Sequence, residues 1–292
     1  MLAHLLAPPA MPARIVVLGS GGFVGRSVVR RLATAGVAVL PLTRAELDLV
    51  AEDATSRLAA LLRPSDCLVV ISATVPARSP AMLRQNVKMV EAVGEAVAKV
   101  PVAHVVYVSS DAVYADEVNP VRETSSCQPS TLHGMMHAAR ELVLRTSVRV
   151  PLAVLRPSLL YGPGDPHNGY GPNRFRRLAA RGEAIALFGE GEELRDHVCV
   201  DDVAEVIALT LAHRSRGVLN IATGMSVSFR RVAEMVVSHA PAPVEIRATP
   251  RQHPIVHRHF DTAACVKAFP RFHYTPLAEG LRRAALEESI RA

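Results

Sequence analysis

The 292-residue chain has no tryptophan, five tyrosines and seven phenylalanines, so aromatics make up only 4% of it. A nucleic-acid surface built on stacked bases needs basic residues interleaved with aromatics, and no stretch offers that pattern. Nucleic acid is therefore not an expected partner. Lysine is nearly missing: Lys88, Lys99 and Lys267 are the whole set, and the formal charge of +6 is carried by scattered arginines. The guanidinium fork suits phosphate, which favours a phosphorylated small ligand. The four cysteines, Cys67, Cys127, Cys199 and Cys265, form no CxxC pair, so free thiols in a reducing cytoplasm are expected rather than a disulfide framework. No apolar run is long enough to span a bilayer. The opening "MLAHLLAPPAMPAR" is broken by prolines and has no basic region before its apolar patch, unlike a signal peptide. Residues 1–12 read as a flexible extension, with Met11 an alternative beginning.

What is present is a periodic pattern. "RIVVL", "VAVLPLTR", "DCLVVISAT", "AHVVYVSSDAVY" and "LAVLRPSLLYGPG" read as strands, separated by the helical stretches "RSVVRRLATAG", "SRLAALLR", "AMLRQNVKMVEAVGEAVAKV" and "HGMMHAARELVLRTS". Such alternation predicts an α/β fold, a Rossmann-type doubly wound parallel sheet. After Gly164 the pattern loosens into the turn-rich "DPHNGYGPNRF", which reads as a ligand loop. The expected organisation is a dinucleotide-binding core over residues 13–165, rejoined by 195–223. Residues 166–194 and 224–292 would form a small C-terminal substrate lobe over the carboxyl edge of the sheet, where ligands bind in open α/β folds.

Gly19, Gly22 and Gly25 form GxxGxxG between a strand and a helix. That context marks a dinucleotide site: a tight turn, close approach of backbone to a pyrophosphate, and helix N-terminal amides facing an anion. Phe23 and Val24 belong to the same cofactor-binding turn. The second strand ends without an acidic residue, and Arg44 follows it, which suits a ribose 2′-phosphate and favours NADP over NAD.

With GxxGxxG, "YVSSDAVY", "LRPSLLYGPGD" and "LRDHVCVDDVAE" in this order, the chain resembles the extended short-chain dehydrogenase/reductases. It resembles more closely still the NAD(P)-dependent epimerase/dehydratase and sugar-nucleotide reductase branches. The resemblance implies that Asp48 sits near the adenine, that Ala73 lines the cofactor groove and that Asn86 belongs to the cofactor site. It makes Ser110 the hydroxyl that bonds the reacting oxygen. Arg195 would contact the nucleotide diphosphate, Asn173 lies in the substrate loop, and Arg258 joins them as a substrate contact. Each has a plainer reading: Asp48 as a helix cap, Ser110 as a backbone partner at a strand end, Arg195 as half of an ion pair with Asp196. A homodimer through the Glu91-containing helix and the His133–Glu141 helix is also implied.

The family carries YxxxK on the helix after "VY"; here the frame holds Pro129, His133, Gly134, His137 and Glu141. No tyrosine in the chain has a lysine four residues later. Free tyrosine titrates near ~10 and needs a cationic neighbour to work at neutrality, whereas histidine titrates near ~6.5 and does not. His133 is thus a candidate general acid or base, and His137 a donor to the cofactor ribose. The family's elimination triplet reads Ser110, Asp111, Ala112, so Asp111 keeps the acid while the base is missing. Reduction or epimerisation of a nucleotide-linked sugar is the expected enzyme function. The alternative is a lapsed site that binds NADP(H) and a nucleotide sugar without turnover. A zinc site on His133 and His137 has no HExxH glutamate and no third ligand, so no metal is expected.

Overall fold

Strand β1 (Arg14–Leu18) shows how the sheet is built. Its side chains alternate, as a pleated strand requires: Ile15 and Val17 face one apolar cluster, Val16 and Leu18 the other. The computed structural model describes residues 1–291. After β1 come α1 (Phe23–Thr34), β2 (Ala38–Leu42), α2 (Ala54–Leu61), β3 (Cys67–Val70), α3 (Pro80–Lys99) and β4 (His104–Val108). A 3-10 turn (Asp111–Val113) leads to α4 (Leu132–Ser147), β5 (Leu152–Pro157), β6 (Leu159–Tyr161), α5 (Pro172–Ala180), β7 (Ile185–Phe188) and β8 (Leu194–Cys199). The chain closes with α6 (Val200–Ala212), β9 (Gly217–Ile221), β10 (Ser226–Ser228), α7 (Phe229–Val237), β11 (Ile246–Thr249), α8 (Ala263–Ala268) and α9 (Leu277–Arg291).

The main sheet has the order β2-β1-β3-β4-β5-β9 and is parallel throughout. Helices cover both faces, as a parallel sheet requires: α1 and α6 bury Val28, Leu32, Val203 and Ile207 on one side. On the other, α2, α3 and α4 bury Leu58, Val90, Val93 and Leu144. The chain leaves β1 toward β2 on one side and returns to its other side at β3. This reversal opens a crevice at the carboxyl ends of the strands. A third cluster, with Tyr161, Phe175, Leu187, Phe229 and Val232, is the core of the smaller lobe.

The structure differs from the sequence reading at four places. "LAVLRPSLLYGPG" forms two strands rather than one. Ser158 donates its amide to Ile221 O at 3.0 Å and its hydroxyl to Asp196 Oδ1 at 2.8 Å, and the chain turns out of the main sheet there. β6 then joins β8 and β10 in a separate three-stranded sheet, so β8 does not return to the main sheet, although α6 and β9 do. The C-terminal stretch divides: Cys265, Phe269, Phe272 and Tyr274 pack on the α1/α6 side of the main core, while Leu277 and Leu281 enter the lobe. Residues 1–12 are not a loose extension. Ala3 pairs with Arg216, His4 hydrogen-bonds Ser215 Oγ at 2.7 Å and Ala268 O at 2.9 Å, and its ring stacks on His213 at 4.0 Å.

Candidate active site

The crevice is a cleft of about 870 Å³, and the glycine turn forms one wall. Gly19 has φ +86°, and a Cβ there would stand 2.6 Å from Ser72 N. A Cβ on Gly25 would fall 2.1 Å from Gly19 O, so only glycine lets α1 seat directly on the turn. Gly25 therefore shapes the turn from behind, while Gly19, Gly22, Phe23 and Val24 line the cleft. The N-terminus of α1 has no side-chain cap and no acidic residue in its first turn. Its amides are left for an anion.

At the end of β2 the cleft is lined by Thr43, Arg44, Leu47, Asp48 and Leu49. Arg44 is 70% exposed and pairs with Asp48 at 3.2 Å. Asp48 also accepts from Val50 N at 3.1 Å, which closes a turn and not a helix, since the residue at the N-cap of α2 is Asp53. Glu46 accepts the Thr43 amide at 2.7 Å and also bonds the Thr43 hydroxyl. Those bonds hold its carboxyl below the usual range. Ala73 lies on the opposite wall. Asn86 does not line the cleft. It is fully buried and clamps that wall from behind, accepting from Thr74 N at 3.0 Å and donating to Thr74 O and Met82 O at 2.9 Å.

Ser110, Asp111, His133 and His137 line the cleft together. Thr131 caps α4 by accepting from Gly134 N at 3.1 Å. A Cβ on Gly134 would stand 2.0 Å from Ala112 O, so glycine brings α4 hard against the Ser110–Ala112 turn. Ser110 Oγ accepts from Ala112 N at 3.1 Å, the backbone role its position allows. The rings of His133 and His137, one helical turn apart, meet edge to face with centroids 4.8 Å apart. Burial, aided by His167, lowers the His133 pKa. His137 lies well below the ordinary value, through burial first and then the charges of His133 and Arg140. Burial alone thus favours the neutral ring of His133. Burial raises the Asp111 carboxyl, opposed by Arg258 and Arg195.

Those two arginines stand outside the cleft. Arg195 pairs with Glu193 at 2.7 Å rather than with Asp196. Arg258 is buried, donating to Ala115 O at 2.8 Å and pairing with Asp116 at 3.2 Å. Asn173 does line the cleft, but its amide is committed to Gly162 N and Asp165 Oδ2, each at 3.0 Å, and so holds the 162–165 loop in place. His167 and Tyr170 also line the cleft, from the stretch read as a ligand loop without any residue being singled out. Arg140 was missed as well. Its spacing of three from His137 puts it on the same helical face, which is the signal that would have found it. Among the described residues, no three His, Cys, Asp or Glu side chains gather as a metal site, and no helix is long and apolar enough to cross a membrane.

Comparison with known proteins agrees with the fold. A dTDP-6-deoxy-L-talose 4-dehydrogenase (NAD(P)(+)) from Kitasatospora kifunensis is 30% identical over 276 residues, covering 84% of this chain and 85% of that protein. The structure of MoeE5 in complex with UDP-glucuronic acid and NAD is 26% identical. It has a TM-score of 0.84 and covers 95% of this chain and 99% of its own. A GDP-L-fucose synthetase from Naegleria fowleri bound to NADP shares the fold at 17% identity and a TM-score of 0.86, covering 99% and 98% of the two chains. Residues 15–222 match the family profile described as NAD dependent epimerase/dehydratase, and the chain belongs to that family.

Proposed function

We propose that this protein is an NADP-dependent reductase or epimerase of a nucleotide-linked sugar, working with His133 and His137 in place of the family's tyrosine and lysine. One observation carries the reading: a single cleft joins the uncapped start of α1 to Ser110, Asp111, His133 and His137. The relative that acts as a dTDP-sugar 4-dehydrogenase supports the substrate class. The geometry fits a dinucleotide, since Gly19 and Gly25 leave no room for side chains where backbone must approach closely.

When bound, a nicotinamide cofactor supplies hydride transfer to or from a neighbouring carbon. Gly19, Gly22, Phe23 and Val24 would hold its pyrophosphate, Arg44 and Asp48 its adenosine end, and Ala73 the groove wall. Ser110 polarises the sugar oxygen, His133 exchanges the proton on it, and His137 donates an N–H to a ribose hydroxyl. Because burial keeps His133 neutral, near pH 7 the site favours the direction in which His133 takes a proton from a sugar hydroxyl as the carbonyl forms. Carbonyl reduction needs the imidazolium, whose population grows as pH falls. Arg195 and Arg258 act through Asp111, favouring its carboxylate. The active form is a homodimer through α3 and α4.

A mass-spectrometric screen tests the reading. Purified protein with NADP(H) or NAD(H) meets a panel of nucleotide sugars and their 4-keto forms in deuterated water. Cofactor-dependent conversion is the expected result, and His133→Phe should then lower kcat by about 10²–10⁴-fold. An unchanged kcat would remove His133 from the chemistry. Silence across the panel, with NADPH still bound tightly, would instead make the protein a nucleotide-sugar binder without turnover.

A further inference from the structure

Beneath the histidine pair lies a charge that the proposed chemistry does not use. Arg140 is fully buried on α4, three residues beyond His137. A buried guanidinium is ordinarily matched by a carboxylate. Here every hydrogen-bond partner is neutral: Nη1 donates to Asn86 O at 3.3 Å and Asn86 Oδ1 at 3.0 Å, and Nη2 to Ser72 O at 2.6 Å. Nε donates to the Tyr107 hydroxyl at 3.1 Å. The guanidinium carbon also stands 5.4 Å from the Tyr107 ring centroid, within cation–π range.

The direction of these bonds has a consequence for His137. Arginine donates only, so the Tyr107 oxygen accepts from Arg140 and must give its own proton elsewhere. Among the described residues, the acceptor that stands in hydrogen-bond geometry to it is His137 Nδ1, at 3.1 Å. Ser109, the other hydroxyl beside Tyr107, donates to Glu141 Oε1 at 2.6 Å. Burial keeps the Tyr107 hydroxyl protonated, since its pKa is raised. An imidazole that accepts at Nδ1 is neutral and carries its hydrogen on Nε2. His137 lines the cleft, and the hydrogen bond that its ring makes among the described residues is the one at Nδ1, which leaves Nε2 to the cleft side.

We propose that Arg140 is a positioning residue that, through Tyr107, locks His137 as the Nε2–H tautomer and presents that N–H to the cleft as a fixed donor for a ligand oxygen. The ligand side of this inference rests on the proposed cofactor site; the tautomer itself does not. A lysine would reach the same cleft with a charged, rotatable donor. The Arg140–Tyr107–His137 chain instead supplies an uncharged donor of set direction and keeps the charge one layer below. The titratable and charged groups acting on His137 are Tyr107 from β4, Arg140 from α4 and His133 across the ring contact.

The test is nitrogen-15 NMR of protein labelled at histidine, without ligand, using His137→Gln to assign the signals. In the wild type, Nδ1 of His137 should give a pyridine-type signal and Nε2 a pyrrole-type signal from pH 5.5 to 8. Tyr107→Phe should mix the tautomers and draw the two signals together. Arg140→Lys, which keeps the charge but cannot serve Tyr107, Asn86 and Ser72 at once, should do so in part. A proton on Nδ1, or an imidazolium at pH 7 in the wild type, overturns the proposal even if a variant fails to fold. Unchanged signals in folded Tyr107→Phe overturn the role of the tyrosine, and in folded Arg140→Lys that of the arginine fork. Absence of turnover would contradict the enzyme reading and leave the tautomer standing.

Discussion

Arg44 is tied to the protein by one 3.2 Å pair with Asp48 and is otherwise in solvent. Its guanidinium can turn toward a ribose 2′-phosphate without breaking a buried contact. A charge-assisted hydrogen bond contributes about 1.5–3 kcal/mol. Arg44→Ala should therefore raise the KM for NADPH by about one to two orders of magnitude and leave that for NADH unchanged. Steady-state kinetics with both cofactors decides it, and an equal rise for both would point to a general role at the adenosine end. Local sequence context made Arg44 visible because it follows directly on a predicted strand. Asn86 was visible too, by resemblance, but its amide is spent on the backbone of Thr74, a contact no spacing rule shows.

At the scale of the element, α4 works on two sides. Its inner face carries His133, Gly134, His137 and Arg140, and also Glu141, which meets Arg156 through bonds of 2.6 and 2.8 Å and accepts from Ser109. Its outer face exposes Leu142 at 64% and Met135 at 46%. Large apolar side chains grouped on one helix face suit an interface, in keeping with the proposed dimer through α3 and α4. Leu142→Arg should convert a dimer to a monomer by light scattering without disturbing the buried side of the helix. A wild-type monomer would refute the dimer. The helix itself was legible from its period. The division of the β5–β6 segment was not, because it depends on Asp196 and Ile221 receiving Ser158 from elsewhere in the chain.

The whole molecule should be sensitive to acid. Burial lowers the pKa of His104 to about 4 and of His197 to about 3. Among the described residues neither ring nitrogen of His197 has a partner, and the ring packs edge-on against Phe229 at 5.7 Å. Both folded values lie below the unfolded value near ~6.5. The unfolded state therefore binds more protons, and the stability present above pH 6.5 is lost as pH falls toward those values. Between pH 7 and pH 5 each histidine removes roughly 2 kcal/mol, against the roughly 5–15 kcal/mol of a typical domain. Buried Asp111 and Asp196, with raised carboxyls, act with the opposite sign. Urea unfolding of wild type and His197→Leu at the two pH values isolates one share: the variant should lose about 2 kcal/mol less. An equal loss in both proteins would contradict a neutral buried His197.

By itself the sequence determined the alternating elements, the glycine turn and the two histidines set four residues apart on one helix. All three are written in short-range spacing, where the periods of strand and helix and the φ freedom of glycine leave a local mark. Only the tertiary structure decided what surrounds that pair. Arg140 reaches Tyr107 and Ser72 across 33 and 68 residues of chain, and His167 enters the cleft from an irregular loop. The closing of a parallel sheet brings these groups together, and burial then sets their protonation. A neutral His137 with a cation beneath it is a property of that assembly, which neither histidine carries in its local sequence.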